Sequence, residues 1–516
     1  MGIAVFSSRI LGLIREQVMA VLFGAGYYMD AFVVAFRIPN LLRDLFAEGA
    51  LSAAFVTVFT DFDQKKGPQA TWRLANNVLL TLTLLLSLIT ILGMIFSEEI
   101  IRVMAPDFDR VQGKIALTQV LTNIMFPFLI LISLAAVVMG ILNTKGRFFI
   151  PAMASTFFNL GSIVGGVLCA WWAPAFGQPP IVGMAIGTLI GGFLQLAIQL
   201  PSLKRSGFQW WPHLSLKDEG LRRIMILMIP AVIGLSATQI NIFINTNFAA
   251  RCAEGSVSWL NYAFRLMQFP IGIFGVAISI ATLPVISRQA SQGDIGALKS
   301  TYVSSLTMAF LLTVPASFGL AFLAEPIIRV IFEHGKFSAL DTIHTAEALA
   351  YYAIGLFAYS SIKITVPVFY ALKDTKYPVI ASFLAVVTNI IFVSLTLGTF
   401  QHKAIAFSTS ITMILNFIFL SAVLYGRVGG YDLRTLLRSL IKILFASLVM
   451  GLLAHYFYQG LGLILSLKGL LNQIISLILV IALAVLVYFI LIRWLGIQEI
   501  NEVMGSLRKR FFKSQI

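Results

Sequence analysis

Charge is what this sequence has least of for its length: 11% of its 516 residues are Asp, Glu, Lys or Arg, while 59% are hydrophobic. That scarcity excludes a water-soluble enzyme of about three domains, because an ordinary soluble surface needs roughly a quarter of the chain charged. Cysteine is nearly missing. Cys169 and Cys252 fall near the outer ends of two apolar runs, where a single disulfide or two inert thiols would fit, and the thiols are the expectation. Histidine is sparse as well: His213, His334, His344, His402 and His455 are scattered without metal-ligand spacing, so no metal is expected. There is no phosphate-binding P-loop pattern, which argues against ATP hydrolysis by this chain. Acidic residues are the scarcer sign, 22 against 37 basic ones, for a net charge of +15.

What the chain has instead is long uncharged runs. Between Arg147 and Lys204 lie 56 residues without one charged side chain, interrupted only by the turn-like stretch 173–180. A bilayer core takes roughly 20 helical residues, and fourteen spans fit best: 1–22, 28–58, 74–97, 115–141, 150–172, 180–200, 222–250, 256–286, 300–323, 343–371, 377–398, 403–425, 436–457 and 470–492. Connections are short, so no soluble catalytic domain is expected between them. The basic excess follows from loop topology, not from nucleic acid. With the N-terminus inside, residues such as Lys65, Lys66, Lys145, Arg147, Lys204, Arg205, Arg222, Arg223, Lys373, Lys376, Arg434, Arg438, Arg508, Lys509 and Arg510 all fall in inside loops or the tail. Both termini are therefore expected in the cytoplasm.

The chain also repeats itself at an offset near 228 residues. Ala35-Phe36-Arg37-Ile38 corresponds to Ala263-Phe264-Arg265-Leu266, and the loop Lys145-Gly146-Arg147-Phe148-Phe149-Ile150-Pro151 to Lys373-Asp374-Thr375-Lys376-Tyr377-Pro378, with one residue deleted; Asn159 and Asn389 follow in the next spans. Six spans per repeat with unchanged orientation predict an all-α polytopic protein. It would hold two parallel six-helix bundles around a central cavity, plus two C-terminal helices. The expected boundaries are 1–200 for the first bundle, 201–221 for a cytoplasmic linker anchored by Trp210 and Trp211, 222–425 for the second bundle, and 426–516 for spans 13 and 14 with a basic tail. The Gly-rich stretches 161–166 and 183–192 read as packing seams.

An ionisable side chain at the bilayer centre costs roughly 2.5 to 3.5 kcal/mol on insertion scales, so those inside spans point to function. They cluster as Arg9, Arg15 and Glu16 in span 1, Asp30, Arg37, Arg43, Asp44 and Glu48 in span 2, Arg265 in span 8 and Lys363 in span 10. On an ideal helix Asp30, Arg37, Asp44 and Glu48 fall within about 40° of one another, a mixed-sign stripe that can satisfy itself. Arg15, Arg43 and Arg265 have no acid three or four residues away, and so are expected to lack local partners. Snorkelling to headgroups is the rival reading, and is fully alive for Arg9 and Lys363. For the set, an excess of guanidinium groups calls for an anion, and their planar forks suit the oxygens of a phosphate or pyrophosphate.

The segments Ser8-Arg9-Ile10-Leu11-Gly12-Leu13-Ile14-Arg15, Phe23-Gly24-Ala25-Gly26, Asp30-Ala31-Phe32 and Arg37-Ile38-Pro39-Asn40-Leu41-Leu42-Arg43 resemble the MurJ (MviN) family of lipid II flippases. The likeness continues through Phe46-Ala47-Glu48-Gly49-Ala50 and Arg265-Leu266-Met267 with Phe269-Pro270. That family belongs to the multidrug, oligosaccharidyl-lipid and polysaccharide exporter superfamily. The resemblance implies a bacterial inner-membrane carrier, not an enzyme, that moves lipid II (undecaprenyl-pyrophosphate-linked disaccharide pentapeptide) from the cytoplasmic to the periplasmic leaflet for peptidoglycan assembly. By it, Arg9, Arg15, Arg43 and Arg265 with Asp30 bind substrate, while Glu48 and position 268 gate or support; Arg37 and Asp44, from the charged stripe, are expected to gate or support as well. Family members often carry an acid where this chain has Gln268. Spans 13 and 14 would form a groove for the lipid tail. Implied partners are lipid II and membrane lipids, with a coupling ion and peptidoglycan-synthesis proteins as candidates; no cofactor and no nucleic acid is implied. The rival functions are a multidrug/cation antiporter or another polyprenyl-linked oligosaccharide flippase of the same superfamily, a membrane enzyme acting on polyprenyl phosphates, and a scaffold for cell-wall enzymes.

Overall fold

The structure, a computed structural model, describes residues 2–45, 50–464 and 469–497, and no strand occurs among them. Backbone in hydrocarbon has no water to bond, so each apolar run satisfies its own N–H and C=O groups by coiling into a helix. The chain divides into two compact units, Met1–Ser258 with His334–Phe337, and Trp259–Glu333 with Ser338–Ile516.

The first unit contains α1 (Gly2–Phe23), α2 (Tyr27–Arg43), α3 (Ala50–Lys65), α4 (Gly67–Ile95), α5 (Ser97–Met104), α6 (Lys114–Met125), α7 (Phe128–Thr144), α8 (Phe149–Trp172), α9 (Ile181–Ala197), α10 (Leu200–Arg205) and α11 (Glu219–Ala250). The second holds α12 (Ser256–Pro270), whose first three residues count with the first unit, α13 (Val276–Ser291), α14 (Ile295–Phe322), α15 (Ala324–Phe332), α16 (Ala339–Ile354), α17 (Leu356–Ala371), α18 (Lys376–Phe400), α19 (His402–Arg427), α20 (Leu433–Ile464) and α21 (Leu470–Trp494).

Among the described residues, 11 helical stretches are long and apolar enough to cross a membrane, or 12 when α16 and α17, bent by 42°, count as one span. They coincide with the third to fourteenth expected spans. The first two correspond to α1, which carries Arg9, Arg15 and Glu16, and to α2 with α3, each short on its own. The chain is thus an all-helical, multi-pass membrane protein.

In the first unit Phe55, Phe59, Leu74, Leu86, Val137 and Ile141 form the core, and α11 joins it through Leu221, Ile224 and Met228. The seventh span therefore packs with this unit, although the repeat groups it with the spans that follow. The Gly-rich stretches are a seam. A Cβ on Gly183 would meet Ala170 N at 2.0 Å, and one on Gly187 would meet Gly166 Cα at 2.4 Å, so only glycine lets α8 and α9 approach this closely. Residues after α10 are pinned, not loose. The buried Asn77 amide donates to Ser215 O and accepts from Ser215 N, both at 2.9 Å, and Asn76 does the same with Gln209 O and Trp211 N at 2.9 and 3.1 Å. Trp210 and Trp211 stay exposed, as interfacial anchors would.

The second unit is built around α14, whose Tyr302, Leu306, Phe310 and Val314 are fully buried, with Tyr302 Oη 3.1 Å from Thr365 Oγ1. α20 and α21 share a small cluster with Leu323, Met450 and Val480, while Ile441, Leu471 and Trp494 point outward.

Each unit preserves the repeat in its backbone. The helix widens into a π turn at 44–45 after α2 and at Ile271–Gly275 after α12. Both α7 and α17 end in the same double bond pattern, a Schellman motif: Gly146 N to Asn143 O at 3.0 Å with Arg147 N to Leu142 O at 2.8 Å, and Lys373 N to Tyr370 O at 3.0 Å with Asp374 N to Phe369 O at 2.9 Å. The left-handed residue is Gly146 (φ 72°) in one repeat and Lys373 (φ 59°) in the other. Structural register therefore pairs Gly146 with Lys373, one position from the sequence alignment.

Cys169 and Cys252 are both free. Cys252 lies in the turn after α11, where burial and then the nearby Asp107 push its thiol up to about 11.

Candidate functional site

In the first unit, α1 and α2 bring the arginines to half-buried positions. Arg15 was expected to lack a local partner. Instead its Nη2 lies 3.0 Å from Glu16 Oε1, with side chains 16% and 7% exposed, and its guanidinium sits 5.4 Å from the Phe158 ring centroid on α8. Arg43 is corrected in the same way: Nε and Nη2 both donate to Asp44 Oδ1, at 3.2 and 2.8 Å. A guanidinium on a three-carbon stem reaches back to the carboxylate beside it, and at 44–45 the π turn alters the ordinary spacing that keeps neighbours apart. Asp44 also accepts from Gln239 of α11 at 3.3 Å. Arg9 is half-buried and makes no hydrogen bond or ion pair among the described residues.

Two members of the expected stripe on α2 meet groups from other elements. Arg37 donates to Thr246 Oγ1 of α11 at 2.6 Å, and Asp30 turns to other partners. Its carboxylate, 2% exposed, takes four donors: Ser258 N at 3.0 Å and Ser258 Oγ at 2.6 Å on Oδ1, Gly255 N at 2.9 Å and Lys114 Nζ at 3.1 Å on Oδ2. Two of these are backbone N–H groups at the first turn of α12, where a helix's partial positive charge favours an anion. Lys114, also 2% exposed, completes the pair and lies 4.3 Å from the Phe108 ring centroid. Asp30 is thus engaged by protein on both oxygens. Lys114 falls one residue before an expected span, so it does not count among the charges inside spans; its position just ahead of an uncharged run is the signal the sequence offers.

In the second unit, Arg265 and Gln268 are both exposed positions on α12, and Lys363 is exposed on α17. The same unit joins two histidines that sequence spacing kept apart, His344 and His402, with Glu347. Glu48, its motif neighbours 46–49 and the basic tail Arg508, Lys509 and Arg510 lie outside the described residues.

A half-buried guanidinium that pairs with a carboxylate can exchange that acceptor for a phosphate oxygen, since both suit the same planar fork. The fold is similar to that of an inward-facing multidrug resistance MATE family transporter of the MOP superfamily, which aligns with TM-score 0.71 at 16% identity, over 82% of this chain and 94% of that one. More specifically, residues 19–471 match the family described as lipid II flippase MurJ, and the chain belongs to it. A solved lipid II flippase MurJ in the inward closed conformation aligns with TM-score 0.78 and 28% identity over 95% of this chain and 97% of that one. A probable lipid II flippase MurJ of Buchnera aphidicola is 35% identical over 443 residues, 86% of each chain.

Proposed function

We propose that this chain translocates lipid II from the cytoplasmic to the periplasmic leaflet of the bacterial inner membrane by alternating access, with both its termini in the cytoplasm. Guanidinium groups of Arg15, Arg43 and Arg265 take the pyrophosphate oxygens and Arg9 supports them. The observation that carries this reading is the pairing of Arg15 with Glu16 and of Arg43 with Asp44 in partly accessible positions, within a chain of the lipid II flippase family.

The adjacent acids give the cycle its reversibility. An arginine held by a carboxylate is not stranded when cargo leaves, so release does not expose an uncompensated cation in a low-dielectric setting. A carrier that changes state on binding must hold the cargo with different affinity in its two states, and exchange between carboxylate and pyrophosphate supplies such a difference. Asp30 supports the site from within the fold, as a clasp on Lys114 and the start of α12. The outward apolar faces of α20 and α21 suit the polyprenyl tail. With the cytoplasm negative, two negative charges moved fully outward gain about 4.6 kcal/mol per 100 mV, less whatever charge the arginines carry with them.

The test is a leaflet-accessibility assay for labelled lipid II in cells depleted of their own flippase and complemented with this chain. Restored outward exposure of the label is expected; growth rescue without such exposure would refute the reading.

A further inference from the structure

His344 and His402 are 58 positions apart, yet within the second unit their ring centroids lie 5.2 Å apart. His344 is in the second turn of α16 and His402 opens α19. Glu347, three residues after His344 and on the same face, completes the group: Oε2 is 3.3 Å from His344 Nδ1 and 3.8 Å from His402 Nε2. One ligand atom from each of the three side chains falls within 4.8 Å of the other two.

The surroundings hold this geometry. Trp259 lies against both imidazoles, with centroids 4.3 and 5.1 Å away, and its indole N–H donates to Asp341 Oδ1 at 2.8 Å. Asp341 is fixed in turn by the capping box with Ser338 at the start of α16. An ion pair for Glu347 needs only Lys403, whose Nζ is 3.1 Å from Oε1. That pair leaves Oε2 directed at two imidazole nitrogens, which a carboxylate alone does not require.

We propose that His344, Glu347 and His402 form a binding site for a divalent transition-metal cation of the Zn2+ class, fastening the start of α19 to α16. Two nitrogen donors and one oxygen are the borderline set such a cation prefers, whereas Ca2+ and Mg2+ favour oxygen alone. His402 Nε2 lies 3.1 Å from His344 O, to which it donates when no metal is bound. Coordination through Nε2 breaks that hydrogen bond: the ring proton leaves Nε2 for solvent as Nδ1 takes one up, so the imidazole stays neutral while the cation takes the Nε2 lone pair. The Lys403 ammonium on the same carboxylate opposes the cation and limits its affinity.

The experiment titrates ZnCl2 into the purified full-length chain, stripped with a chelator, against a chromophoric competitor, and repeats the titration with Co2+ for its visible absorption bands. One equivalent is expected. His344→Ala, His402→Ala and Glu347→Gln each weaken binding by at least about tenfold. Lys403→Met tightens it, and His213→Ala and His455→Ala leave it unchanged. No uptake by the unmodified chain, or uptake indifferent to His344→Ala and His402→Ala, overturns the site. If those alanine variants do not fold, Lys403→Met decides, and an affinity unchanged by its loss overturns the proposal as well.

Discussion

Replacing Asp30 separates a structural clasp from a substrate contact. Its carboxylate carries four donors, and its partner Lys114 is as deeply buried as it is. Asp30→Ala strands an ammonium that water cannot reach, and breaking a buried pair this way costs about 3 to 5 kcal/mol. The lost bonds to Gly255, Ser258 and Lys114 are part of that figure, not additions to it. Lys114→Met leaves the carboxylate with three donors, so it costs less, about 1 to 3 kcal/mol. The double variant Asp30→Ala/Lys114→Met removes the stranded charge and is expected to be more stable than Asp30→Ala alone. Thermal unfolding of the four proteins in one detergent gives the order: unmodified, Lys114→Met, double variant, Asp30→Ala. Flipping per folded molecule is measured beside it. An Asp30→Ala variant as thermostable as the unmodified chain yet inactive would refute the clasp and return Asp30 to the substrate.

Three further outcomes follow from individual contacts. Gly187→Val drives a side chain into Gly166 and Ser162 across the α8–α9 seam and is expected to cost at least about 1 to 3 kcal/mol, whereas Gly398→Ala, with open space around it, changes stability little; unfolding midpoints compare the two. Lys373→Gly relieves a left-handed lysine at the end of α17 and is expected to raise stability by about 0.5 to 1 kcal/mol in the same assay, since that backbone costs roughly 1 to 2 and glycine returns part as entropy. Glu16→Gln and Asp44→Asn remove the carboxylates that compete for Arg15 and Arg43. The Arg43–Asp44 pair is partly exposed, so about 0.5 to 1 kcal/mol is at stake there and Asp44→Asn should raise affinity for a pyrophosphate lipid about two- to fivefold in equilibrium binding to the purified chain; Glu16 is buried, and Glu16→Gln should raise it at least as much.

The spans were legible because a bilayer imposes a length, and runs of that length have few alternatives. The seam between α8 and α9 was legible for a similar reason: closely spaced glycines at 161–166 and 183–192 have little other use in apolar helices. The ion pairs were not. A rule that looks three and four residues along a helix passes over Glu16 beside Arg15 and Asp44 beside Arg43, and cannot foresee a π turn at 44–45. Partners brought by other helices, Thr246 to Arg37, Lys114 to Asp30 and His402 to His344, depend on tertiary contacts that no local spacing encodes. The repeat was visible in Arg37 and Arg265, but its register at the end of α7 and α17 was set by hydrogen bonds, which place Lys373 opposite Gly146.

The central claim is that forked guanidinium groups on α1, α2 and α12 hold the cargo's pyrophosphate. Its most direct test compares outward exposure of labelled lipid II in depleted cells carrying the unmodified chain or Arg15, Arg43 or Arg265 replaced singly by Ala and by Lys, at matched membrane levels. Loss in each alanine variant and partial activity in each lysine variant is the expected result, because a point charge replaces a planar fork. Full activity in all three alanine variants would contradict the account.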